Sequence, residues 1–299
     1  TMYKTTEEKT YLRDYLMSIR LHHWPKNLLV FLPALTGHLI TIDNFTLLSV
    51  LFISLSLVAS GLYLMNDLVD IENDKNHPTK KNRAIARGSL SPMAAKIISL
   101  LLVIIGLISS FTVLFEAGLL ILLYILLVCF YSLYFKKYPF YEAFLLTTVY
   151  LLRIYIGVLV IGTEISEWML IFSFFFFFFL VLEKRYTELS LYSDSVQNDP
   201  TGRGYEIKDL NLIQSLAASS ALASLLVFGL YISSPKVQAL YSTPVYLWGI
   251  VLLGFAWVLN MIVLSNKGKM QDDPIVFAFT NKTSLGIFLF SLILVLFSI

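Results

Sequence analysis

Three carboxylates, Asp67, Asp70 and Asp74, stand three and four residues apart in the stretch Asn66-Asp67-Leu68-Val69-Asp70-Ile71-Glu72-Asn73-Asp74. Read as a helix, that spacing puts all three on one face, with Asp70 and Asp74 within roughly 60° of Asp67 and Glu72 pointing away. Like charges so close repel, and the cluster needs a cation. Oxygen-only ligands select a hard divalent ion, Mg2+ or its stand-in Mn2+, held beside a substrate phosphate. A solvated acidic helix end is the plain alternative. Against it, the cluster closes an apolar run from Phe45 to Leu64 and leads into the basic stretch His77-Pro78-Thr79-Lys80-Lys81-Asn82-Arg83. A carboxylate face beside Lys80 and Arg83, with the Asn66 amide at its head, suits a metal-bridged diphosphate. His77 has no second histidine at ligand spacing and reads as part of the loop.

A second constellation, Glu183-Lys184-Arg185-Tyr186-Thr187-Glu188-Leu189, closes another apolar run. Lys184 and Glu188, four apart, share one helical face, while Glu183 and Tyr186 share another. Alone, this is a snorkelling basic helix end with an exposed ion pair. Paired with the acidic motif it becomes a source of fixed positive charge, for a substrate carrying more phosphate than one diphosphate. Arg153, between Tyr150 and Tyr155 in an apolar run, is costly in a membrane and points to an anionic ligand or a polar partner. Trp24-Pro25-Lys26-Asn27 offers a cation and an amide, or an interfacial anchor. Asp272-Asp273-Pro274 reads as a solvated turn.

The elements that must position these residues are membrane helices. Hydrophobic residues make up 57% of the 299 and charged residues 14%, with a mean hydropathy of +0.75. A soluble fold of this length cannot hide so much apolar surface. The net charge of +2 gives no reason to expect a nucleic-acid partner. The single cysteine, Cys129, excludes an intrachain disulfide. The stretch through Arg20 is too polar for a cleavable signal peptide. We expect an all-α, polytopic protein with nine spans near 25–41, 46–66, 94–114, 117–135, 140–162, 167–185, 211–232, 244–265 and 282–298. Residues 1–24 form an N-terminal interfacial segment, amphipathic from Tyr11 to His23. Residues 25–299 form one transmembrane domain, and the run Phe174–Phe179 reads as lipid-facing bulk. With the N-terminus in the cytoplasm, all of the 22 Lys and Arg except Lys236 and Arg153 fall on the cytoplasmic side. The long loops 66–93, 183–210 and 266–281, and with them the site, would then be cytoplasmic.

Taken together, these segments resemble the UbiA-type intramembrane prenyltransferase superfamily, and within it the decaprenyl-phosphate phosphoribosyltransferase branch. The shared pattern is W-x-K-N at Trp24–Asn27, Y-L-x-N-D-x-x-D at Tyr63–Asp70 and H-P-T-K at His77–Lys80. It continues through R-x-I-A-x-G at Arg83–Gly88, Y-L-x-R at Tyr150–Arg153, S-x-W at Ser166–Trp168 and K-R-Y-x-E-L at Lys184–Leu189. The acidic motif marks the superfamily. The K-R-Y-x-E-L segment marks the branch, because aromatic prenyltransferases carry a second D-x-x-x-D motif there. Ala84 departs from the pattern, since many relatives have proline after the arginine.

The resemblance implies a UbiA-like bundle in a bacterial inner membrane, with Mg2+ on Asp67, Asp70 and Asp74. It implies 5-phosphoribosyl 1-diphosphate as donor and a polyprenyl monophosphate as acceptor. Lys26, Asn27, Asn66, Lys80, Arg83, Arg153, Lys184, Arg185 and Tyr186 are the candidate substrate contacts. Glu188 is the carboxylate that could stabilise positive charge at ribose C1. Assembly into an oligomer is compatible with all of this. Two rivals stand beside it: an aromatic or quinone prenyltransferase using a prenyl diphosphate, and a transporter of anionic solutes. The first needs a second carboxylate cluster. The second usually shows internal repeats with broken helices at the midplane.

Overall fold

The structure, a computed structural model, describes residues 17–76, 80–193, 204–270 and 273–299. Among them every regular element is helical. The long helices are α1 (Ile42–Val69), α2 (Pro92–Val113), α3 (Phe115–Leu133), α4 (Tyr141–Ile161), α5 (Glu167–Ser193), α6 (Leu210–Ile232), α7 (Leu247–Asn266) and α8 (Lys282–Ser298). Among the described residues, six segments are long and apolar enough to cross a bilayer: Ile42–Val69, Pro92–Val113, Phe115–Leu133, Tyr141–Ile161, Ile207–Ile232 and Pro244–Asn266. Helix α8 is apolar but shorter, and α5 ends in the charged K-R-Y-x-E-L segment. The chain is an integral membrane protein.

The first expected span, 25–41, is not one α-helix. Leu21–Phe31 is a 3-10 helix with Pro25 inside it, followed by the short helix Leu32–Thr36. Pro25 has no N–H to donate and its ring clashes with the carbonyl four residues back, which bars a regular α-helix there, whereas Pro33 stands in the first turn of the short helix, where no N–H is needed. Of the interfacial helix expected over Tyr11–His23, residues 11–16 lie outside the described residues, Met17 and Ser18 are helical, and Ile19 and Arg20 form a turn. Its described end, from Leu21, belongs to the 3-10 segment.

The chain packs as two compact units. The first takes the chain through Lys136 together with Leu152–Glu164; the second takes Lys137–Leu151 and Ile165–Ile299. Helix α4 therefore gives its first half to the second unit and its later half to the first.

In the first unit α1 and α2 pack backbone to backbone. A Cβ on Gly61 would stand 2.7 Å from the Ser99 carbonyl oxygen, and one on Gly106 would stand 2.6 Å from that of Ser54. Ser99 Oγ donates to the Gly61 carbonyl at 2.7 Å, and Ser54 Oγ meets Ser109 Oγ at 3.0 Å. Helices in lipid gain little from hiding apolar surface, so small residues and hydroxyls set the approach. In the second unit α5 packs on α6. The phenylalanine run is not simply lipid-facing: Phe177 and Phe179 are buried, Phe177 stacks on Tyr150 at 4.8 Å, and Phe176 stacks on Trp257 at 5.8 Å. A helix that is apolar all round has its contact face chosen by its neighbours, which composition does not reveal.

Candidate functional site

A polar stripe on α1 organises the first unit. Ser56, Ser60, Tyr63 and Asp67, spaced four, three and four residues apart, share one face. Ser56 Oγ accepts from Asn27 Nδ2 at 3.0 Å, and Ser60 Oγ accepts from Trp24 Nε1 at 3.0 Å and donates to the Ile19 carbonyl at 2.7 Å. Arg20 lies 5.0 Å over the Tyr63 ring, and its Nη2 donates to Asp67 Oδ1 at 2.6 Å. Arg20 reaches there from left-handed backbone, φ 54°, a region a non-glycine residue seldom occupies. Sequence reasoning missed Arg20, although the stripe that seats it is readable.

Helix α1 ends at Val69. Asp70 has φ −98° and ψ 12°, outside helical values, and the short helix Ile71–Lys75 follows. The three carboxylates therefore do not line one straight helical face as their spacing suggested. Asp67 and Asp74 converge on Arg83, whose Nη1 donates to Asp67 Oδ1 at 3.0 Å and to Asp74 Oδ2 at 2.7 Å. Asp70 Oδ1 instead accepts from Lys136 Nζ at 2.6 Å. Lys136 stood out in the sequence only as a positive-inside charge. Glu72 points away, as expected, and pairs with Lys75 at 2.8 Å.

Each carboxylate of the motif thus meets a protein-borne cation. Asp67 and Asp74 are about 95% buried, and burial raises the Asp74 carboxyl above its usual range, with Arg83 pulling it back. Among the described residues, no three His, Cys, Asp or Glu side chains already converge as a metal-ready group. The ion pairs engage Asp67 and Asp70 through Oδ1 and Asp74 through Oδ2. This oxygen-only donor set has the chemistry of a hard divalent ion, and its three carboxylates are what could hold one.

Arg83 is held by the loop that carries it. Ala84, Ile85 and Leu90 pack in one buried cluster with Leu64 of α1 and Ala95 of α2. The Ala84 carbonyl accepts from Leu90 N–H at 3.1 Å and Ser89 Oγ at 3.2 Å. Lys80 opens the short 3-10 turn Lys80–Asn82 and Asn66 is half-buried, whereas His77, Pro78 and Thr79 lie outside the described residues.

Arg153 is buried in the first unit. Its Nε donates to Asn27 Oδ1 at 2.9 Å and its Nη2 to Tyr124 Oη at 2.9 Å, with the guanidinium 4.9 Å over the Tyr124 ring. Lys26 is also buried. The W-x-K-N segment therefore ties the irregular N-terminal stretch to α1 and α4.

In the second unit the K-R-Y-x-E-L segment is wired differently from its spacing. Lys184 does not pair with Glu188 but meets Asp273 Oδ2 at 3.3 Å. Asp273 is no solvated turn: it is buried, and its Oδ1 caps the short helix Pro274–Thr280 by accepting from Ile275 and Val276 N–H. Asp272 lies outside the described residues. Arg185 donates from Nε and Nη2 to the two oxygens of Glu142, at 2.5 and 2.7 Å, and from Nη1 to Glu188 Oε2 at 2.6 Å. Tyr205 Oη donates to Glu142 Oε1 at 3.1 Å and accepts from Phe140 N–H at 2.9 Å. Burial, with the Glu142 charge adding to it, pushes the Tyr205 phenol well above its usual range. Tyr186 Oη donates to Asn266 Oδ1 at 2.8 Å. Glu142 and Tyr205 carried no spacing signal, because they lie 43 residues before and 20 residues after Arg185, far beyond one helical turn.

The chain is 32% identical over 275 residues to the uncharacterized protein y4nM of Sinorhizobium fredii, covering 91% of this chain and 53% of that one. It is 31% identical over 179 residues to the decaprenyl-phosphate phosphoribosyltransferase of Mycobacterium tuberculosis, covering 58% of this chain and 59% of that one. The chain thus spans between half and three fifths of the length of these two relatives. A UbiA homolog from Archaeoglobus fulgidus, solved bound to GPP and Mg2+, matches the fold with a TM-score of 0.68 at 14% identity, over 94% of this chain and 99% of that one. The model of the UbiA prenyltransferase family matches residues 29–292, and with that match and the shared fold this chain belongs to the UbiA prenyltransferase family.

Proposed function

We propose that the chain transfers 5-phosphoribose from 5-phosphoribosyl 1-diphosphate to a polyprenyl monophosphate and releases diphosphate, with Mg2+ required. The observation that carries this reading is the end of α5. Where a prenyl diphosphate enzyme needs a second aspartate cluster, this chain has Lys184, Arg185 and Glu188, and Glu142, Glu188 and Asp273 are paired with Arg185 and Lys184. Similarity to a decaprenyl-phosphate phosphoribosyltransferase supports the same choice.

A phosphate monoester is ionised at neutral pH, so the acceptor needs no strong general base. Its oxygen attacks ribose C1 as the bond from C1 to the diphosphate breaks, and positive charge develops on the ring between them. Asp67, Asp70 and Asp74 would hold Mg2+, which when bound supplies charge to the leaving diphosphate. Arg83 and Lys80 add donors to that diphosphate. Glu188 supplies negative charge toward C1, and Arg185 holds that carboxylate in place. Arg185, locked on two carboxylates, serves as a positioning residue, and Lys184 is the basic group of the segment that takes a donor phosphate. The polyprenyl tail lies along apolar helix faces in the bilayer.

We place the N-terminus and the site in the cytoplasm, on the charge bias alone, with nine spans threading a bacterial inner membrane. A cysteine replacing Ser242 on a Cys129→Ser background then labels from outside intact cells; labelling instead at a cysteine replacing Asn76 inverts the topology.

The deciding experiment supplies membranes containing the protein with radiolabelled 5-phosphoribosyl 1-diphosphate and a polyprenyl phosphate. Label should enter the lipid phase only when Mg2+ and the lipid are both present. Transfer of a prenyl group from a prenyl diphosphate to an aromatic acid, with 5-phosphoribosyl 1-diphosphate ignored, replaces this reading with that of an aromatic prenyltransferase.

A further inference from the structure

We propose that Glu183 of α5, Gln214 of α6 and Ser265 of α7 form a buried site for one monovalent cation, sodium or potassium. The site lies within the second unit, is separate from the acidic motif and does not depend on the transferase reading.

The buried carboxylates of Asp67, Asp74, Glu142 and Asp273 each meet a basic side chain. Glu183 does not follow that rule. It is 0% exposed, and neither of its oxygens has a hydrogen-bond partner among the described residues. Ser265, equally buried, is close enough to act on that carboxylate without making a hydrogen bond to it. Gln214 Nε2 is a third buried polar atom without a partner among the described residues. Buried polar groups left unmatched are rare, because each loses its hydration for nothing in return, and a buried carboxylate loses most.

Packing brings the three residues to one place. Phe172 of α5 meets Phe228 of α6 at 5.7 Å, and Phe176 of α5 stacks on Trp257 of α7. Leu225 of α6 lies so close to Gly254 of α7 that a Cβ there would stand 2.8 Å from Leu225 Cδ2. The three helices therefore share one seam. Glu183, Gln214 and Ser265 each lie eleven residues from a residue of that seam, Phe172, Leu225 and Gly254 respectively. Eleven residues are about three turns, so each polar residue faces the seam as its apolar counterpart does. Helix α6 runs opposite to the other two. Stepping back along α6 and forward along α5 and α7 reaches the same end of the seam, which the Tyr186–Asn266 hydrogen bond also marks.

The donor set selects the ion. Two carboxylate oxygens, a hydroxyl oxygen and, with the amide turned about its last bond, the oxygen of Gln214 suit a hard cation. One carboxylate balances one positive charge, and a divalent ion would leave a second charge buried without a match. A proton would cancel the charge of Glu183 but supply one donor only. A monovalent ion gathers oxygens from all three helices and pins the start of the K-R-Y-x-E-L segment to α6 and α7.

The test uses the full chain purified in detergent, with no measurement of turnover. Uptake of labelled sodium and of labelled rubidium, the latter standing for potassium, is followed by scintillation proximity in choline chloride with excess Mg2+ present. The wild type should take up one ion per chain, the two labels showing which ion is preferred. Its melting temperature should rise by several degrees when choline is replaced by the preferred ion. Glu183→Gln keeps the size and removes the charge. It should take up no label, melt alike in all three chlorides, and in choline melt no lower than the wild type. Ser265→Ala should weaken ion binding about three- to tenfold. Absence of saturable uptake in the wild type overturns the site. So does uptake that persists in Glu183→Gln, which puts the ion elsewhere. A wild-type melting temperature that follows pH and not salt, and only while Glu183 is present, assigns the charge to a proton and overturns the ion. Should Glu183→Gln fail to fold, unchanged ion affinity in both Ser265→Ala and Gln214→Leu overturns the site instead.

Discussion

Two arginines of this chain hold carboxylates in opposite ways. Arg83, in the first unit, bridges Asp67 and Asp74 through one nitrogen and is 29% exposed. Arg185, in the second unit, uses Nε, Nη1 and Nη2 on Glu142 and Glu188, and its side chain is 2% exposed. A buried pair gripped through three nitrogens resists change, because removing either member strands a charge away from water. A single-nitrogen pair open to solvent can be traded for another ligand at small cost. The first arrangement suits binding and release; the second suits the fixed placement of Glu188. Electrostatic pairing by itself therefore says little about role. The number of donors engaged, and the depth, decide it.

The comparison breaks most visibly at Asp67. Asp67→Asn should abolish transfer while the melting temperature of the purified protein stays within a few degrees of the wild type. EDTA should do the same, with activity restored by Mg2+. Full activity in excess EDTA ends the metal-diphosphate reading.

On the other side, Glu142→Ala should cost about 3–5 kcal/mol of stability, seen as a large drop in melting temperature and in the yield of folded protein. Should Glu142→Ala fold normally yet lose donor binding, Arg185 is a substrate contact rather than a positioning residue.

Lys184 sharpens the contrast, since it lies next to Arg185 but is 31% exposed and 3.3 Å from Asp273. Lys184→Ala should weaken donor binding by about ten- to over a hundredfold, the equivalent of about 1.5–3 kcal/mol, with little effect on the polyprenyl phosphate. Glu188→Gln should chiefly lower kcat, since its charge matters most as C1 becomes positive. Steady-state kinetics with both substrates varied separates the two.

The smallest effect is expected at Tyr205. Tyr205→Phe removes the donor to Glu142 and should cost about 1–2 kcal/mol. Because the phenol is raised in the fold, its contribution is whole below an ordinary tyrosine value of about 10 and is lost as pH rises toward the folded one. Alkaline melting curves of the wild type should therefore fall more steeply than those of Tyr205→Phe, and parallel curves would remove Tyr205 from the network.

The sequence by itself determined the class of molecule. Apolar runs of bilayer length, the lopsided placement of Lys and Arg, the acidic motif and the K-R-Y-x-E-L segment are all local patterns, and helices and charge clusters are local in origin. The helices α1 through α8 lie close to where those runs placed them. Only the tertiary structure decided who neutralises whom. Asp70 leaves helical geometry and turns to Lys136, 66 residues along the chain, rather than staying beside Asp67 and Asp74. Arg185 finds Glu142 43 residues away, Lys184 leaves Glu188 for Asp273, and Arg20 crosses 47 residues to Asp67. Helical periodicity predicts only neighbours three or four residues apart. In a poorly screened interior, a charge takes the partner that packing brings within about 3 Å, and packing is a property of the whole chain.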